Sequence, residues 1–205
     1  MRALSASEIL NMKKDTIPFT GAWEEAFGHP EWVGVWIIWG NSGDGKTSFL
    51  MQLCKELSKW KKVGYNSLEQ RASKTMQDTL RENNMQQCKR GRFQLIPGES
   101  MAQSSERLLK SKAPDVLVVD SFQYTQMGYK DYIAFKEKHP DKLIIFVSHA
   151  DGTQPDGRAA KKVKYDAELK IRVEGFRAFS QGRTKGSRGY FTVWEEGAKE
   201  YGWTD

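Results

Sequence analysis

The chain has 205 residues, 39% of them hydrophobic, and a formal net charge of +6. This length is enough for one domain with a full hydrophobic core. The two cysteines, Cys54 and Cys88, have no His or Cys partner at metal-ligand spacing, which argues against a zinc site and for a reducing compartment. The sequence has neither a signal-peptide h-region nor a run of about 18 apolar residues, so we expect a cytoplasmic protein without membrane insertion.

The positive charge is concentrated towards the C-terminal end. Residues 158–188 contain ten Lys/Arg and three Asp/Glu, a net charge of +7, and the rest of the chain is close to neutral. This asymmetry predicts a polyanionic partner, with a solvated loop as the alternative.

Residues 1–32 are predicted to be an N-terminal lead-in packed on the core of a main domain formed by residues 33–205. A short helical pattern covers Ser7–Lys13, and the aromatic residues Phe19, Trp23, Phe27 and Trp32 follow it. We interpret these aromatic side chains as core residues, and stacking on an aromatic ligand is the alternative.

An apolar strand, a glycine-spaced turn and a helix come next, at residues 33–50. The turn matches the P-loop pattern G-x-x-x-x-G-K-[ST], in which backbone N–H groups and the helix N-terminus face phosphate oxygens. An incidental Gly-rich turn is the alternative. The motif predicts ATP binding, with Lys46 at the β- and γ-phosphates and Thr47 on Mg²⁺. The predicted nucleotide contacts are Gly40, Asn41, Ser42, Gly43, Asp44, Gly45, Lys46, Thr47 and Ser48.

After this motif, predicted strands alternate with predicted helices. The strands are Val63–Ser67, Phe93–Ile96, Asp115–Asp120 and Leu143–Val147, and the helices cover residues 46–60, 73–83, 102–112 and 129–138. Such alternation predicts a mostly parallel α/β sheet flanked by helices. Residues 150–164 show no apolar period and predict an exposed loop. The segments Ala167–Glu174, Phe176–Gln181 and Tyr190–Glu195 predict a C-terminal antiparallel extension.

Two carboxylates are predicted at the carboxyl edge of the sheet, where open α/β sheets bind ligands. Asp120 ends a buried strand and is expected to hold Mg²⁺ through water, with a turn cap as the alternative. Because Ser121 rather than Glu follows it, the attacking water needs another group, and Glu69 after the second strand is the candidate catalytic base. The alternative for Glu69 is local, since Ser67 and Gln70 have capping-box spacing near a helix start.

Three further polar residues are candidates for the same chemistry. His149 follows the next buried strand, where it can contact the γ-phosphate or the water, and a satisfied strand-end histidine is the alternative. Arg183 and Lys185 lie in a glycine-bounded turn and can reach a neighbouring subunit's γ-phosphate as fingers. A solvated hairpin is the alternative for these two cations.

In this order the motifs resemble those of the RecA-like core ATPases, the group that contains RecA and RadA recombinases, DnaB-type helicases and KaiC. The resemblance rests on the P-loop, Asn66-Ser67-Leu68-Glu69, Val119-Asp120-Ser121 and Ser148-His149. The Ser-Leu-Glu stretch looks most like the DnaB group. The tail, from Val147 through Arg183-Thr184-Lys185-Gly186 to Trp194, is similar to bacterial RadA.

The resemblance implies a RecA-like P-loop NTPase fold and the roles given above to Lys46, Glu69, Asp120 and His149. It also implies that the loops after the fourth and fifth strands face DNA. These loops offer two tyrosines for stacking on bases and a group of cations for phosphates. The implied nucleic-acid contacts are Tyr124, Tyr129, Arg158, Lys161, Lys162 and Lys164.

We therefore expect a Mg²⁺-dependent ATPase that binds single-stranded DNA and is accessory to recombination or replication, possibly of a mobile element. Self-association into a ring or filament and protein partners from such a system are expected with it. The alternative is a KaiC-like, nucleotide-switched protein-binding module without DNA. A P-loop kinase of a small molecule is a third option, and the antiparallel tail argues against it.

Overall fold

The computed structural model describes residues 2–182 and 189–204. Within these residues the strands are β1 (Gly34–Gly40), β2 (Val63–Ser67), β3 (Phe93–Ile96), β4 (Val116–Asp120), β5 (Leu143–Asp151), β6 (Gln154–Pro155), β7 (Leu169–Glu174), β8 (Arg177–Gly182) and β9 (Tyr190–Thr192). The helices are α1 (Ala6–Leu10), α2 (Ala22–Phe27), α3 (Lys46–Ser58), α4 (Lys74–Glu82), α5 (Met101–Leu108), α6 (Tyr129–Lys138), α7 (Arg158–Asp166) and α8 (Glu195–Tyr201). No helix in the described ranges is long and apolar enough to cross a bilayer.

The strands form one sheet in the order β3-β2-β4-β5-β1-β7-β8-β9, with β6 paired to β5. Neighbours from β3 to β7 are parallel, whereas β8 and β9 extend the sheet in antiparallel fashion. The predicted fold class is confirmed. The register pairs Gly40 with His149 and Ser67 with Asp120, so the polar strand ends meet at one edge.

The sheet buries apolar side chains on both faces. In β4, Val116 and Val118 belong to the cluster that α3 covers with Leu50 and its neighbours. Leu117 and Val119 belong to a second cluster, which α5, α6 and α7 cover. Strands buried on both faces appear in a sequence as continuous apolar runs, and such runs predict β4 and β5.

The N-terminal segment places its aromatic side chains in the first of these clusters. Phe19, Phe27 and Trp32 are buried, and Trp23 stacks on Phe191 with ring centroids 4.0 Å apart. Residues 2–14, which include α1, are mostly exposed. The boundary between a lead-in at 1–32 and a domain at 33–205 stays a prediction.

Two segments differ from the sequence prediction. The expected loop at 150–164 is wrong, because it contains β6 and most of α7. The buried face of α7 consists of the small residues Ala160 and Val163, which give too weak an apolar period to signal a helix. The expected strand Tyr190–Glu195 ends at Thr192, and α8 begins at Glu195. The helices α3 and α5 also end earlier than predicted, at Ser58 and Leu108.

Candidate functional site

The P-loop lies between the end of β1 and the start of α3. Gly43 and Gly45 have φ angles of 89° and 86°, which L-residues with side chains rarely adopt, so glycine lets the loop curl at these points. At Gly40 the constraint is a close approach, because a Cβ atom there would lie 2.3 Å from the carbonyl oxygen of Val173 in β7. The glycine spacing therefore gives a tight loop that leads directly into α3.

The turn between β7 and β8 supports this loop from the other side. The backbone N–H of Phe176 donates a hydrogen bond to the carbonyl oxygen of Asp44, at 3.1 Å. The Phe176 ring also lies against Gly45, where an added Cβ would be 2.7 Å from it. Trp194 packs edge-on against Phe176, with ring centroids 5.1 Å apart. Residues far along the chain thus hold the loop in place.

A cavity of about 220 Å³ opens beside the loop. It is lined by Ser48, Gln52, Glu82, Asn83, Phe176, Val193 and Trp194. Ser48 directly follows the P-loop threonine, and Trp194, another lining residue, is 48% exposed. Planar apolar surface and polar side chains thus lie next to the phosphate-binding motif.

Lys46, which is partly buried, and Asp120, which is buried, form the charged centre of the site. The Lys46 ammonium donates a hydrogen bond to the carbonyl oxygen of Gly40, at 3.2 Å. Burial lowers the pKa of Lys46, and the negative charges of Asp120, Glu69 and Asp44 oppose this shift. Burial raises the pKa of Asp120, which is 7% exposed, and the Lys46 charge partly offsets the effect.

Tyr65 holds the Asp120 side chain in place. It lies fully buried in β2, and its hydroxyl donates a hydrogen bond to Oδ2 of Asp120. Burial, with the Asp120 charge beside it, raises the pKa of Tyr65 well above its usual value, so the phenol remains a neutral donor. This contact occupies one carboxylate oxygen and orients the other.

Glu69 and His149 stand next to this centre. Oε2 of Glu69 lies 3.4 Å from Nε2 of His149, and Ser121 Oγ lies 3.5 Å from the same nitrogen. The backbone N–H of Glu69 donates to the carbonyl oxygen of Asp120, at 3.3 Å. About a third of each side chain in the Glu69–His149 pair is exposed. The structure therefore brings Lys46, Glu69, Asp120 and His149 together at the predicted edge.

The capping alternative for Glu69 is wrong. The N-cap of α4 is Ser73, whose hydroxyl accepts a hydrogen bond from the Met76 backbone N–H at 3.2 Å. Within the described residues, the buried Ser67 Oγ and Gln70 Oε1 have no hydrogen-bond partner. Ser67 and Gln70 thus do not form a capping box, and Glu69 lies outside the helix.

The residues present fit a nucleotide with its magnesium ion. The glycine-lined loop and the N-terminus of α3 offer backbone donors to phosphates, and Lys46 adds a positive charge. Thr47 in the first turn of α3 and the second oxygen of Asp120 are available as oxygen ligands. Mg²⁺ in such sites takes one or two protein ligands and completes its shell with phosphate oxygens and water.

The residues predicted to bind nucleic acid occupy two different environments. Tyr124, in the 3₁₀ turn Phe122–Thr125, is 55% exposed. Tyr129 begins α6 and stacks on Tyr132, with centroids 5.7 Å apart, and the Lys162 ammonium lies 5.4 Å from its ring centroid. Of the two predicted tyrosines, Tyr124 is thus the one open for stacking.

The cations lie on α7 rather than on a loop, which corrects the sequence prediction. Arg158 and Lys162 are exposed, whereas Lys161 pairs with Asp151 at 2.9 Å. Lys164 lies 4.4 Å from the Trp39 ring centroid, and burial lowers its pKa. Arg183 and Lys185 fall outside the described residues.

The chain has a RecA-like fold. Its sheet order, its P-loop between β1 and α3 and the polar residues at the ends of β2, β4 and β5 are those of this fold. The flagellar accessory protein FlaH from Methanocaldococcus jannaschii is similar, with a TM-score of 0.60 and 14% identity over 88% of this chain and 92% of that one. The KaiC-like protein PH0186 from Pyrococcus horikoshii OT3 has a TM-score of 0.61 and 15% identity over 87% and 93%. At these identities the likeness establishes the fold. No protein-family model and no curated protein matches the chain.

Sequence reasoning missed several residues that support or adjoin this site. Tertiary contacts determine the roles of Tyr65, Phe176 and Trp194. Gln123 forms hydrogen bonds with Ser148 and Asp156, which lie 25 and 33 residues further along the chain. For Tyr65 a signal exists, since a hydroxyl in a buried strand needs a partner. Gln123 carries no such signal, because it lies in an irregular and polar stretch.

Proposed function

We propose that the protein is a cytoplasmic, Mg²⁺-dependent ATPase whose hydrolysis is coupled to binding of single-stranded DNA. The observation that carries the ATPase proposal is the convergence of Lys46, Asp120 and Glu69 on one sheet edge, beside a P-loop. Two carboxylates from separate strands and one lysine are the groups that phosphoryl transfer to water requires. Perturbed pKa values at Lys46 and Asp120 support a functional site there.

In this mechanism the P-loop amides and Lys46 hold the β- and γ-phosphates, and the cavity beside Ser48 receives the base. Magnesium, when bound by Thr47 and Asp120, neutralises charge on the phosphates. Glu69 orients a water for in-line attack on the γ-phosphorus and accepts its proton, while the bond to the β–γ bridging oxygen breaks. His149 contacts Glu69 and is placed to respond when the γ-phosphate leaves.

The proposal of a DNA partner is supported by exposed cations and one exposed tyrosine. Arg158 and Lys162 on α7 and the exposed Tyr124 supply phosphate contacts and one stacking surface. The resemblance of the tail to RadA favours a role in recombination or replication, with self-association into a ring or filament. In such an assembly Arg183 or Lys185 would act on a neighbouring site.

The test is an ATPase assay of the wild type and Lys46→Ala, with and without single-stranded DNA. We expect Lys46→Ala to lose turnover and wild-type turnover to rise with DNA. DNA affinity should fall steeply as salt rises from about 50 to 200 mM, by about tenfold for every two phosphates that the protein neutralises. Retained turnover in Lys46→Ala would refute the ATPase proposal, and salt-independent affinity would refute the phosphate contacts.

A second candidate is a nucleotide-switched protein-binding module without DNA. Lys161, Lys164 and Tyr129 already make contacts within the chain, which leaves fewer groups for a DNA strand. One similar structure is that of a KaiC-like protein and another that of a flagellar accessory protein. This candidate predicts slow hydrolysis that DNA does not change, and partner capture that depends on the bound nucleotide.

A further inference from the structure

Gln123 connects three segments at the edge of the site. Its amide nitrogen donates to Ser148 Oγ at 2.7 Å and to the carbonyl oxygen of Asp156 at 3.0 Å. Its amide oxygen accepts from the backbone N–H of His149, at 3.4 Å. One side chain of the turn after β4 therefore contacts the strand end that carries His149 and the turn that precedes α7.

The backbone of His149 is held from both sides by these contacts. Its N–H donates to Gln123, and its carbonyl oxygen accepts a hydrogen bond from the backbone N–H of Asp156, at 2.8 Å. The imidazole meanwhile faces Glu69, with 3.4 Å between the nearest atoms. A shift of His149 thus requires Gln123, Asp156 or both to move with it.

Asp156 leads directly into the basic helix. Gly157 is the N-cap of α7, and the carbonyl oxygen of Gly157 accepts the Lys161 N–H at 3.1 Å. Arg158 and Lys162 follow on the exposed side. A close side-chain contact therefore joins Glu69 to His149, and hydrogen bonds join the His149 backbone to Asp156, both directly and through Gln123, just before α7.

We propose that Gln123 is a positioning residue that couples the state of the nucleotide site to the position of α7. The inference rests on the proposed ATP site and goes beyond it, because it assigns a side chain that supports the direct backbone contact between His149 and Asp156 and so helps α7 to sense that site. A carboxamide of this length can donate two hydrogen bonds and accept a third here, whereas an ionised glutamate has no donor and asparagine is one methylene shorter. Coupling of this kind is reciprocal, so DNA on α7 and nucleotide at the P-loop should influence each other through Gln123.

The experiment compares wild type, Gln123→Met and Gln126→Met. Methionine keeps the length of the side chain and removes its hydrogen bonds. Gln126→Met makes the same change on an exposed side chain of the same turn. Amide hydrogen exchange in residues 158–166 is measured with and without a nonhydrolysable ATP analogue and Mg²⁺. Single-stranded DNA affinity is measured under the same two conditions, and urea unfolding reports whether each variant is folded.

In the wild type and Gln126→Met, the analogue should slow exchange in α7 and change DNA affinity by about fivefold or more. Gln123→Met should bind the analogue equally well, while both responses become clearly smaller than in the wild type. A purely structural role would lower stability and leave the responses intact, which would overturn the inference. It is also overturned if the analogue binds the wild type without affecting α7.

The same measurements separate the inference from the proposed function. If α7 responds to the analogue and Gln123→Met weakens this response, but DNA does not bind, the inference stands and the DNA proposal fails. If the analogue does not bind the wild type at all, both are refuted.

Discussion

Tyr65→Phe removes one oxygen from the fully buried core and tests how the site is held. The variant loses the hydroxyl that donates to Asp120 and keeps the ring that packs under α3. The carboxylate is only 7% exposed, so water cannot readily replace the lost donor. We therefore expect a large effect for a change of a single atom.

A hydrogen bond to a charged group contributes about 1.5–3 kcal/mol, which is the expected decrease in the free energy of unfolding. For a chain of this size it corresponds to a decrease of about 3–12 °C in Tm. Tyr132→Phe is the matched control, because its hydroxyl also donates to a carboxylate, Asp166. Asp166 keeps its contact with Lys136 at 2.7 Å, so the control should lose only about 0.5–1.5 kcal/mol.

The assay is urea unfolding of both variants without nucleotide or Mg²⁺, as a function of pH. Burial raises the folded-state pKa of Asp120, so its charge reduces stability at pH values above the unfolded pKa. The Tyr65 hydrogen bond offsets part of this loss while Asp120 is charged. The difference between wild type and Tyr65→Phe should therefore shrink as pH falls through the folded pKa of Asp120. A loss below about 0.5 kcal/mol, or one equal to that of the control, would refute the reasoning.

Three further predictions concern the proposed catalytic base, the P-loop glycine Gly40 and the buried His139. Glu69→Gln should lower turnover by about 10²- to 10⁴-fold with unchanged affinity for an ATP analogue, and near-normal turnover would exclude Glu69 as the base. Gly40→Ala should lower the free energy of unfolding in urea by about 1–3 kcal/mol, because the added Cβ would clash with the Val173 carbonyl oxygen. A variant as stable as the wild type would contradict this close contact between Gly40 and Val173. His139 Nε2 lies 2.8 Å from Ser105 Oγ, and burial lowers the pKa of His139 in the folded state. The folded state therefore binds a proton at His139 less readily than the unfolded chain does, so the free energy of unfolding should decrease as pH falls from about 6.5 through the lower folded-state pKa. His139→Gln should flatten the pH profile of the free energy of unfolding in that range, and unchanged profiles would count against this contribution.

The strands that position the site could be predicted from the sequence because each changes abruptly from apolar to polar residues at its end. β4 and β5 are apolar runs that end in polar residues, and the parallel arrangement brings such ends to one edge. Asp120 and Glu69 followed from that rule and from the chemistry of the P-loop. The rule predicts that Asp120 and Glu69 lie at the same edge as Lys46, but the distances between them come only from the structure.

The parts that could not be predicted depend on neighbours distant in sequence. The buried face of α7 is made by Ala160 and Val163, and its fit to the sheet includes the packing of Lys164 on Trp39. In α8, Gly197 lowers the local helix propensity. A glycine is needed there because a Cβ would lie 2.3 Å from the Trp194 ring. In α8 local preference and tertiary packing disagree and packing prevails, whereas in α7 only the apolar period is missing from the sequence.

The contact between Phe176 and the P-loop bears on how the domain matures during synthesis. More than a hundred residues separate Phe176 from the Gly45 that it covers, so the motif emerges from the ribosome long before its support. A nascent chain that ends before β7 has the entire phosphate-binding sequence, yet β1 still lacks one of its two neighbouring strands. The support that Phe176 and β7 give to the P-loop is therefore added late in synthesis, once β7 and β8 have formed their hairpin.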